Sequence, residues 1–554
     1  MTDQPESKKG RSNLEEFERN DGRPAFILTT TELKLLGIAG IGFFLDAYDL
    51  FIINPVSTML QYRLYNGEHL PTHLEGFVKA GANIGSVIGQ FAFGYAADAL
   101  GRKAVYGKEL MLIILATILT MTVPTGTLSP DNCLIYLGVF RILLGIGVGG
   151  DYPMSASITS DRSNLRKRGT MLSYIFSNQG WGSLVGSLVT IIVLLAYKPA
   201  MEGRGQTSKI DGVWRIIIGV SLVPAFGTLY QRLTLPESTR FKASQALIHT
   251  EAGGQSSQDE DEIARLKRAQ AAEEAKDQND VTEKEASSTD EASTSDDVDP
   301  EESTAPPEQL AKKKAHFGEF VRYFSKWEHA KLLIGTSMCW FLLDISFYGI
   351  NLNQNVVLQQ IGYDGSTGSP WERLFKVSTG SIIITALGFV PGYYASILTI
   401  EYLGRKWIQI QGFLLSGLFL AVLAGCFHTL SKPAFIVCFA FMQFFFNFGA
   451  NTTTYCYPAE IFPTRFRAFA HGISAAAGKA GAIISALAFN TLSKKVGTPV
   501  VLWIFFGINI LGALFTLLLP EVKGRDPDVL YAEEIRLKRA KKEAERRAAA
   551  ESAQ

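Results

Sequence analysis

Four aspartates and one lysine stand inside long apolar stretches of the sequence. Asp46 and Asp49 occur in GFFLDAYDLF, Asp151 in GIGVGGDYPMSAS, Asp344 in MCWFLLDISFYGINLNQN, and Lys479 in AAAGKAGAI. An ionisable group at such a position costs free energy unless it is paired, hydrated or neutralised. Burial disfavours the charged form of a carboxylate and a nearby cation favours it, so a carboxylate under both influences can exchange protons near neutral pH. The set predicts a proton pathway and an ion site.

Asp151 also has a structural interpretation. It could pair permanently with Arg141 or Lys479 and hold helices together. The pathway hypothesis depends on the whole set, because the other charges inside the apolar stretches are nearly all acidic. Lys479 is their clear basic counterpart, whereas Arg141 lies near one end of its stretch.

The elements that must position these residues are the apolar stretches themselves. The 554-residue chain is 47% hydrophobic, and its charges balance but crowd into the first thirty or so residues, about 237–331, and the tail after about 521. Apolar runs of about 20 residues are candidate membrane spans, and without water their backbones must be helical. Twelve spans are predicted: 34–60, 75–99, 106–124, 132–158, 169–197, 213–235, 330–358, 376–400, 407–427, 434–456, 468–492 and 498–519.

The two halves of the chain repeat three motifs in the same order. Each half has an acidic residue before Leu-Gly-Arg-Lys, then an Arg-rich loop, and finally Leu-Pro-Glu. The copies are GYAADALGRKAVYG and GYYASILTIEYLGRKWIQ at 94–107 and 392–409, SDRSNLRKRG and AEIFPTRFRAFAHG at 160–169 and 459–472, and LPE at 235–237 and 519–521. This ordered set predicts a duplicated unit of six spans.

Parallel six-span repeats are typical of two-lobed secondary transporters. The Gly-x3-Asp-x2-Gly-Arg-Lys loop and the Pro-Glu-Ser-x-Arg end of the first half resemble marks of the major facilitator superfamily. The resemblance implies an all-α membrane protein of the major facilitator fold, with twelve transmembrane helices in two six-helix lobes. Clustered Lys and Arg residues in both tails favour cytoplasmic termini.

This fold predicts five regions and a cytoplasmic gate. The regions are a cytoplasmic N-terminal tail at 1–33, a first lobe at 34–236, a partly disordered acidic cytoplasmic linker at 237–329, a second lobe at 330–520, and a charged cytoplasmic tail at 521–554. Charged residues of the repeated loops are expected to form contacts between the lobes that break and reform as the lobes move: Asp98, Arg102, Asp161, Arg162, Arg166, Arg168, Glu401, Arg405, Glu460, Arg465 and Arg467.

Glycine-rich motifs in the spans are interpreted as packing surfaces. GIGVGG at 145–150 matches Gly-x-Gly-x-x-Gly, but a dinucleotide site needs that motif between a strand and a helix. Inside an apolar helix, small residues let membrane helices approach closely, and GANIGSVIG at 81–89 has the same character. Outside the spans, 259–276 and 528–549 are predicted to form charged helices.

Trp340, Asp344 and Tyr348 recur every four residues, so they share one helical face. Tyr152, Gln179 and Asn451 are polar residues at comparable depth in other spans. With Lys479, they form an inventory of donors, one cation and one carboxylate. Monovalent phosphate carries P–OH donors that an ionised carboxylate can accept, whereas sulfate has none at neutral pH. Asp344 would thus admit phosphate and penalise sulfate.

GGDYPMSASITSD, WFLLDISFYGINLNQN, HGISAAAGKAGAI and FLDAYDLF resemble signature stretches of the fungal and plant high-affinity phosphate:proton symporters. The resemblance implies that phosphate binds between the lobes near mid-membrane, and it implies the residue roles. Phosphate contacts fall on Tyr152, Gln179, Trp340, Asp344, Tyr348 and Asn451, a binding and coupling role on Lys479, and the proton pathway on Asp46, Asp49 and Asp151. Met154 and Asp161 depart from that family's usual residues and leave fine specificity open.

The sequence therefore predicts a plasma-membrane, proton-coupled importer of inorganic phosphate that works by alternating access. Its partners are phosphate, protons and the lipid bilayer, with no nucleic acid, metal or cofactor. Two alternatives stay open: a transporter of the same fold that carries organic phosphates such as glycerophosphodiesters, and, from another functional class, a receptor that senses phosphate without moving it. An enzyme is not expected, since no nucleophile–base pair or metal cluster is apparent, and the oligomeric state stays open.

Overall fold

The computed structural model describes residues 24–202, 204–238, 240–241, 317–363 and 368–551, and within these residues all regular structure is helical. The predicted helix at 259–276 lies outside them. In the first half, the described helices are α1 Thr30–Phe51, α2 Ile53–Leu64, α3 Thr72–Leu100, α4 Arg102–Val105, α5 Lys108–Met121, α6 Pro130–Arg162, α7 Arg168–Met201, α8 Ile210–Gly219 and α9 Leu222–Thr234. In the second half, they are α10 Phe317–Phe324, α11 Trp327–Asn351, α12 Gln354–Ile361, α13 Pro370–Ile384, α14 Val390–Leu403, α15 Arg405–Gly425, α16 Lys432–Asn447, α17 Ala450–Ile461, α18 Arg467–Val496, α19 Thr498–Thr516 and α20 Pro527–Glu551.

Helix lengths agree with the prediction of twelve spans. Among the described residues, 11 helical stretches are long and apolar enough to cross a membrane. The remaining predicted span is α3, whose 29 residues include five Gly and six Ala as well as the polar Asn83 and Gln90. At 1.5 Å per residue α3 extends about 43 Å, which exceeds a hydrocarbon core of about 30 Å. Predicted and observed ends differ by several residues because polar and charged first turns continue the helices beyond the apolar core.

Five predicted spans are interrupted, which hydropathy did not foresee, and one of them, at 330–358, divides into α11 and α12. The span at 34–60 divides into α1 and α2, that at 213–235 into α8 and α9, and that at 434–456 into α16 and α17. Between α13 and α14 the chain forms one π-helical turn, Thr385–Phe389, followed at once by Pro391. Proline has no N–H to donate and its ring clashes with the preceding turn, so an interruption there is expected.

The glycine motifs bring α3 and α6 into close contact. A Cβ atom on Gly85 would lie 1.9 Å from the carbonyl oxygen of Ile142, and one on Gly145 would lie 2.0 Å from that of Ala82. Any larger side chain would push the two helices apart. This confirms the interpretation of GIGVGG and GANIGSVIG as packing surfaces, and α6 runs as one helix through the motif.

Two helix pairs form most of the interface between the lobes: α3 packs against α18, and α7 packs against α13 and α14. Within the second lobe α11 runs parallel to α18, as shown by Thr336 Oγ1 at 2.8 Å from Ser474 Oγ and, further along, Lys479 bonded to Tyr348. Four buried side chains that the sequence predicts as functional therefore lie on two adjacent helices. The end of the bundle that carries both Gly-Arg-Lys loops is called the Arg-Lys side below.

The charged tail forms α20, confirming the helix predicted at 528–549, and it docks on the Arg-Lys side of the second lobe. Glu534 on α20 accepts hydrogen bonds from Lys326 Nζ at 3.0 Å, contacts His329 Nε2 at 3.3 Å, and pairs with Lys538 at 2.6 Å. Partial burial raises the pKa of Glu534, but these three partners outweigh it and hold the pKa at about 2. At neutral pH the docking contact therefore carries a fully ionised carboxylate.

Candidate substrate site between the lobes

One half of the site is built by the parallel helices α11 and α18. Lys479 Nζ donates to the hydroxyl oxygen of Tyr348 at 2.6 Å and lies 3.8 Å from Asp344 Oδ2. Among the described residues, Asp344 Oδ2 has no hydrogen-bond partner. Gly478 makes room for Trp340, since a Cβ there would lie 2.4 Å from Cδ1 of the indole. The second lobe thus presents a cation, a phenol, an indole and an acceptor oxygen in one buried place.

The first lobe contributes Tyr152 on α6 and Gln179 on α7. Gln179 Nε2 donates to the Tyr152 hydroxyl at 2.6 Å. The Tyr152 ring faces the second lobe: its centroid lies 5.1 Å from Lys479 Nζ and 6.1 Å from the ring of Trp340. Lys479 is therefore held between tyrosines of opposite lobes, because its ammonium also lies 4.2 Å from the ring of Tyr348. Cation–π contacts of this kind are stronger where water is excluded.

Asn451, at the start of α17, completes the set. Its Nδ2 donates to the Tyr393 hydroxyl at 2.9 Å and to Asn447 Oδ1 at 2.7 Å, and the Tyr393 hydroxyl in turn reaches Gln179 Oε1 at 3.4 Å. The structure thus brings together all seven residues that the sequence assigned to substrate contact. None is more than 5% exposed: Tyr152, Gln179, Trp340, Asp344, Tyr348, Asn451 and Lys479. Tyr393 was missed, because a tyrosine in an apolar run carries no sequence signal of its own.

Aromatic rings from α1 enclose the site on two sides. Phe43 packs edge to face against Tyr152 at 4.9 Å and against Phe176 at 5.4 Å. Eight residues further along α1, Phe51 stacks on Tyr348 at 6.2 Å and meets Phe389 of the π-helical turn at 6.1 Å. Eight residues of helix span about 12 Å. The polar cluster therefore lies between two layers of aromatic rings.

The two aspartates of α1 lie between Phe43 and Phe51. Asp46 is fully buried, and neither of its oxygens has a hydrogen-bond partner among the described residues. Asp49 is also buried, and its Oδ2 likewise has no hydrogen-bond partner among the described residues. Arg141 does not pair with Asp151; it donates instead to the carbonyl oxygens of Val78 at 2.9 Å and Asp49 at 3.1 Å. The α1 carboxylates thus border the site without a structural partner that fixes both their oxygens.

Asp151 has a charged partner that sequence reasoning did not identify. Arg232, near the end of α9, donates to Asp151 Oδ1 at 2.7 Å and to Glu109 Oε1 at 3.2 Å, and all three side chains are fully buried. A Cβ on Gly42 would lie 1.6 Å from Asp151 Oδ2, so glycine creates the room for this cluster. Glu109 and Arg232 stand near span ends in the sequence, where charges are ordinary, so their burial gave no signal. The structural interpretation of Asp151 therefore gains support, with Arg232 in place of Arg141 or Lys479.

Four of the predicted gate residues take part in direct contacts between the lobes. Asp161 at the end of α6 pairs with Arg467 at the start of α18, and Arg102 Nε lies 3.2 Å from Asp161. Arg102 also donates to the Thr464 carbonyl oxygen at 2.9 Å, and Asp98 accepts from the Phe469 N–H at 2.8 Å. The repeated loop of the first lobe is thus tied to the Arg-rich loop of the second.

The second Gly-Arg-Lys loop makes fewer of these contacts with the opposite lobe. Arg405 pairs with Glu401 and Glu460 of its own lobe, each at 2.7 Å, while Glu401 accepts a bond from the Thr170 N–H of the first lobe at 3.0 Å. Among the other predicted gate residues, Arg465 pairs with Glu319 of α10, Arg162 donates to the Pro236 carbonyl, Arg166 is exposed, and Arg168 is buried without a side-chain hydrogen bond to any described residue.

Comparison with known proteins adds to this geometry. Residues 35–528 match the sugar (and other) transporter family. The chain is 44% identical to a putative inorganic phosphate transporter of Schizosaccharomyces pombe, covering 90% of this chain and 88% of that protein. It is 37% identical to the inorganic phosphate transporter PHO84 of Saccharomyces cerevisiae, covering 91% and 85%, and 36% identical to a probable inorganic phosphate transporter of Arabidopsis thaliana, covering 90% and 92%.

Solved structures are similar in fold. The xylose transporter XylE from E. coli, in a partially occluded inward-open conformation, aligns with a TM-score of 0.62 at 19% identity over 89% of this chain and 99% of that one. The proton:xylose symporter XylE bound to a bromodeoxyglucose aligns with a TM-score of 0.65 at 20% identity, covering 90% and 98%. At this level of identity the likeness establishes the major facilitator fold alone.

Proposed function

Because the chain belongs to the sugar (and other) transporter family, we propose that it imports inorganic phosphate together with protons. Like its relatives, it is a multi-pass membrane transporter and not an enzyme. The relatives named as inorganic phosphate transporters are 35–44% identical over most of the chain, which supports phosphate as cargo. The observation that carries the proposal is the buried cluster between the lobes, in which Lys479 lies beside Asp344.

The chemistry of that cluster suits an anion that carries its own proton. Lys479 supplies the positive charge, and Tyr, Trp and amide groups supply hydrogen-bond donors around it. The unpartnered oxygen of Asp344 would repel a fully deprotonated oxyanion but accepts a hydrogen bond from the P–OH of monovalent phosphate. Sulfate offers no such hydrogen, so its binding would leave a buried acceptor unpaired. The pair therefore selects phosphate over sulfate.

Proton coupling is assigned to the carboxylates of α1, with Asp151 as a further candidate. Asp46 lies between the two aromatic layers, and its oxygens are not committed to a hydrogen bond with any described residue. A carboxylate that is neutral in one conformation and charged in another lets a proton gradient drive the conversion between them. Asp151 is held in a buried ion pair with Arg232, which Glu109 shares, so it could join the pathway only if that ion pair opens. Asp46 and Asp49 are therefore the primary candidates.

Transport would proceed by alternating access of the two lobes. On the side opposite the Arg-Lys loops, Asn54 Nδ2 donates to the Asn351 carbonyl at 3.0 Å and Trp371 Nε1 donates to the Leu194 carbonyl at 2.6 Å, so contacts between the lobes occur on both sides of the site. Opening to either side breaks one of these sets while the other holds. We place the Arg-Lys side and both termini in the cytoplasm and the protein in the plasma membrane, with lobes at 34–236 and 330–520.

The test is labelled phosphate uptake by the purified full chain in proteoliposomes, with unlabelled competitors outside. Inorganic phosphate should compete fully, whereas sulfate at the same concentration should not. Saturable uptake of a labelled glycerophosphodiester, with little uptake of labelled phosphate, would point to organic phosphate as the cargo. Saturable phosphate binding with no uptake would identify a sensor, and it would contradict import.

A further inference from the structure

We propose that Tyr393 is a positioning residue of the phosphate site, whose hydroxyl orients the amides of Gln179 and Asn451 across the lobe interface. The inference rests on the proposed function, since it deepens the same site. Tyr393 lies on α14, just after the π-helical turn and Pro391, and it is 1% exposed. It is absent from the residues that the sequence assigned to phosphate.

The hydrogen-bond directions follow from the groups involved. An amide NH₂ only donates, so the Tyr393 oxygen accepts from Asn451 Nδ2 at 2.9 Å. The single hydroxyl hydrogen of Tyr393 is then available for Gln179 Oε1, at 3.4 Å. This bond favours the orientation in which Gln179 Nε2 points toward Tyr152, as observed at 2.6 Å. The Tyr152 oxygen therefore accepts, and its own hydrogen is left to donate to an anion.

The link also depends on the lobes being together. Gln179 belongs to α7 of the first lobe, whereas Tyr393 and Asn451 belong to the second. The helices are tightly apposed here, because a Cβ on Gly180 would lie 3.0 Å from Cδ2 of Tyr393. The Tyr393 ring also packs edge to face on Phe176 of α7 at 5.9 Å. Separation of α7 from α14 would break the bond to Gln179 first, so the donor pattern offered to phosphate is organised only when the lobes meet.

The chain offers a matched control in Tyr455. That residue is fully buried, and it stacks on the same Phe176 ring at 4.7 Å. Its hydroxyl has no hydrogen-bond partner among the described residues. Tyr393→Phe and Tyr455→Phe remove the same atom from the same neighbourhood. Only the first removes a hydroxyl that connects Gln179 to Asn451.

The experiment measures equilibrium phosphate binding and phosphate uptake for both variants and for Gln179→Ala, using the full chain. Two lost hydrogen bonds at a substrate site should raise the KM and the apparent Kd for phosphate about tenfold in Tyr393→Phe, with less than a twofold change in Tyr455→Phe. In the Gln179→Ala background, Tyr393→Phe should add only about threefold, because the bond to Gln179 is already absent and only the bond to Asn451 remains to be lost. Both tyrosine variants should keep the wild-type thermal transition within a few degrees.

Several results would overturn the assignment. Equal phosphate affinity in the two tyrosine variants would do so, and so would a full additional tenfold loss in the Gln179→Ala background. A Tyr393→Phe defect confined to turnover or to thermal stability, with unchanged affinity, would reduce Tyr393 to a structural role. If the wild type binds phosphate without transporting it, the proposed function is wrong, yet the ratio of the two Kd values still decides the role of Tyr393. A wild type that neither binds nor transports phosphate would refute both.

Discussion

Replacing Asp344 by Asn separates the charge of this residue from its shape. Asp344 is 1% exposed, and Lys479 lies 3.8 Å from its Oδ2. The substitution leaves a buried ammonium whose remaining close contacts are the Tyr348 hydroxyl and the rings of two tyrosines. It also replaces an oxygen acceptor by an NH₂ donor, which cannot receive the P–OH hydrogen of phosphate.

The magnitude follows from the hydrogen bond that phosphate loses to a charged acceptor, which contributes about 1.5–3 kcal/mol. With about 1.4 kcal/mol for each factor of ten, the upper end predicts a fall of about 100-fold in kcat/KM for phosphate uptake. The matched control is Glu202→Gln, because Glu202 pairs with Lys198 at 3.7 Å at a partly exposed position outside the site. A partly exposed pair of that kind contributes about 0–1 kcal/mol, so uptake should change less than fivefold.

The assay is initial-rate phosphate uptake in proteoliposomes at matched protein density, with sulfate as competitor. For Asp344→Asn we expect the 100-fold loss together with a smaller gap between phosphate and sulfate inhibition, because the new amide can donate to either anion. Wild-type uptake in a folded Asp344→Asn protein would refute the role given to this carboxylate. Lost uptake with unchanged rejection of sulfate would show that Asp344 serves binding without selecting the anion.

Three further changes test other parts of the account. Arg467→Gln removes the ion pair between the lobes, so a membrane-permeant maleimide should label the buried interface residue Cys456 several-fold faster. The control is Arg465→Gln, whose partner lies on α10 and which should leave the labelling rate unchanged. Equal labelling rates in the two variants would contradict this gate. Arg232→Met strands two buried carboxylates and should destabilise the protein by about 3–5 kcal/mol in thermal unfolding, and an unshifted transition would exclude the pairing. Because the pKa of Glu534 is held at about 2, below its usual value, its contribution to docking α20 is complete above about pH 5 and is lost as the pH falls toward 2. The protection of α20 amides from hydrogen exchange should therefore be independent of pH from pH 5 to 8, and it should be weaker in Glu534→Gln. Stronger protection of α20 as the pH falls from 5 toward 2 would contradict the stabilising role given to the ionised Glu534.

Much of the fold could be predicted because the membrane imposes a simple rule on the sequence. A span of apolar residues must be helical, so run length alone located the helices. The interruptions of the helices were not predicted because hydropathy does not report local backbone geometry. Pro391 and the adjoining π-helical turn, for example, lie inside an apolar run with normal hydropathy. The helix α3 shows the opposite case, since its packing glycines lower its hydropathy while they fit it closely against α6.

The site was predicted where rare residue types stand at membrane depth, and missed where they do not. Asp344 and Lys479 are conspicuous in apolar runs, and a four-residue spacing placed Trp340 and Tyr348 on the face of Asp344. Tyr393 was not found because tyrosine is ordinary in a membrane helix, and only the fold shows that its hydroxyl meets Gln179. Pairing across distant helices was equally hidden.

Asp151 illustrates that limit most clearly. Periodicity places a residue on a face of its own helix but does not say which residue of another helix will meet it. Arg232 is 81 positions away in the sequence, and it reaches Asp151 only because α9 packs beside α1 and α5 and because Gly42 leaves space for the two side chains. The sequence predicted that this carboxylate is either paired or part of a proton pathway. Identifying Arg232 as its partner required the three-dimensional structure.

The most direct test of the central claim is gradient-driven accumulation of labelled phosphate in proteoliposomes that contain only the purified chain. With an inward proton gradient, we expect internal phosphate to rise above the external concentration, and a protonophore should collapse that accumulation. Without a gradient, uptake should stop at equilibrium. Phosphate entry that never exceeds equilibrium, or that is indifferent to the protonophore, would contradict proton-coupled import.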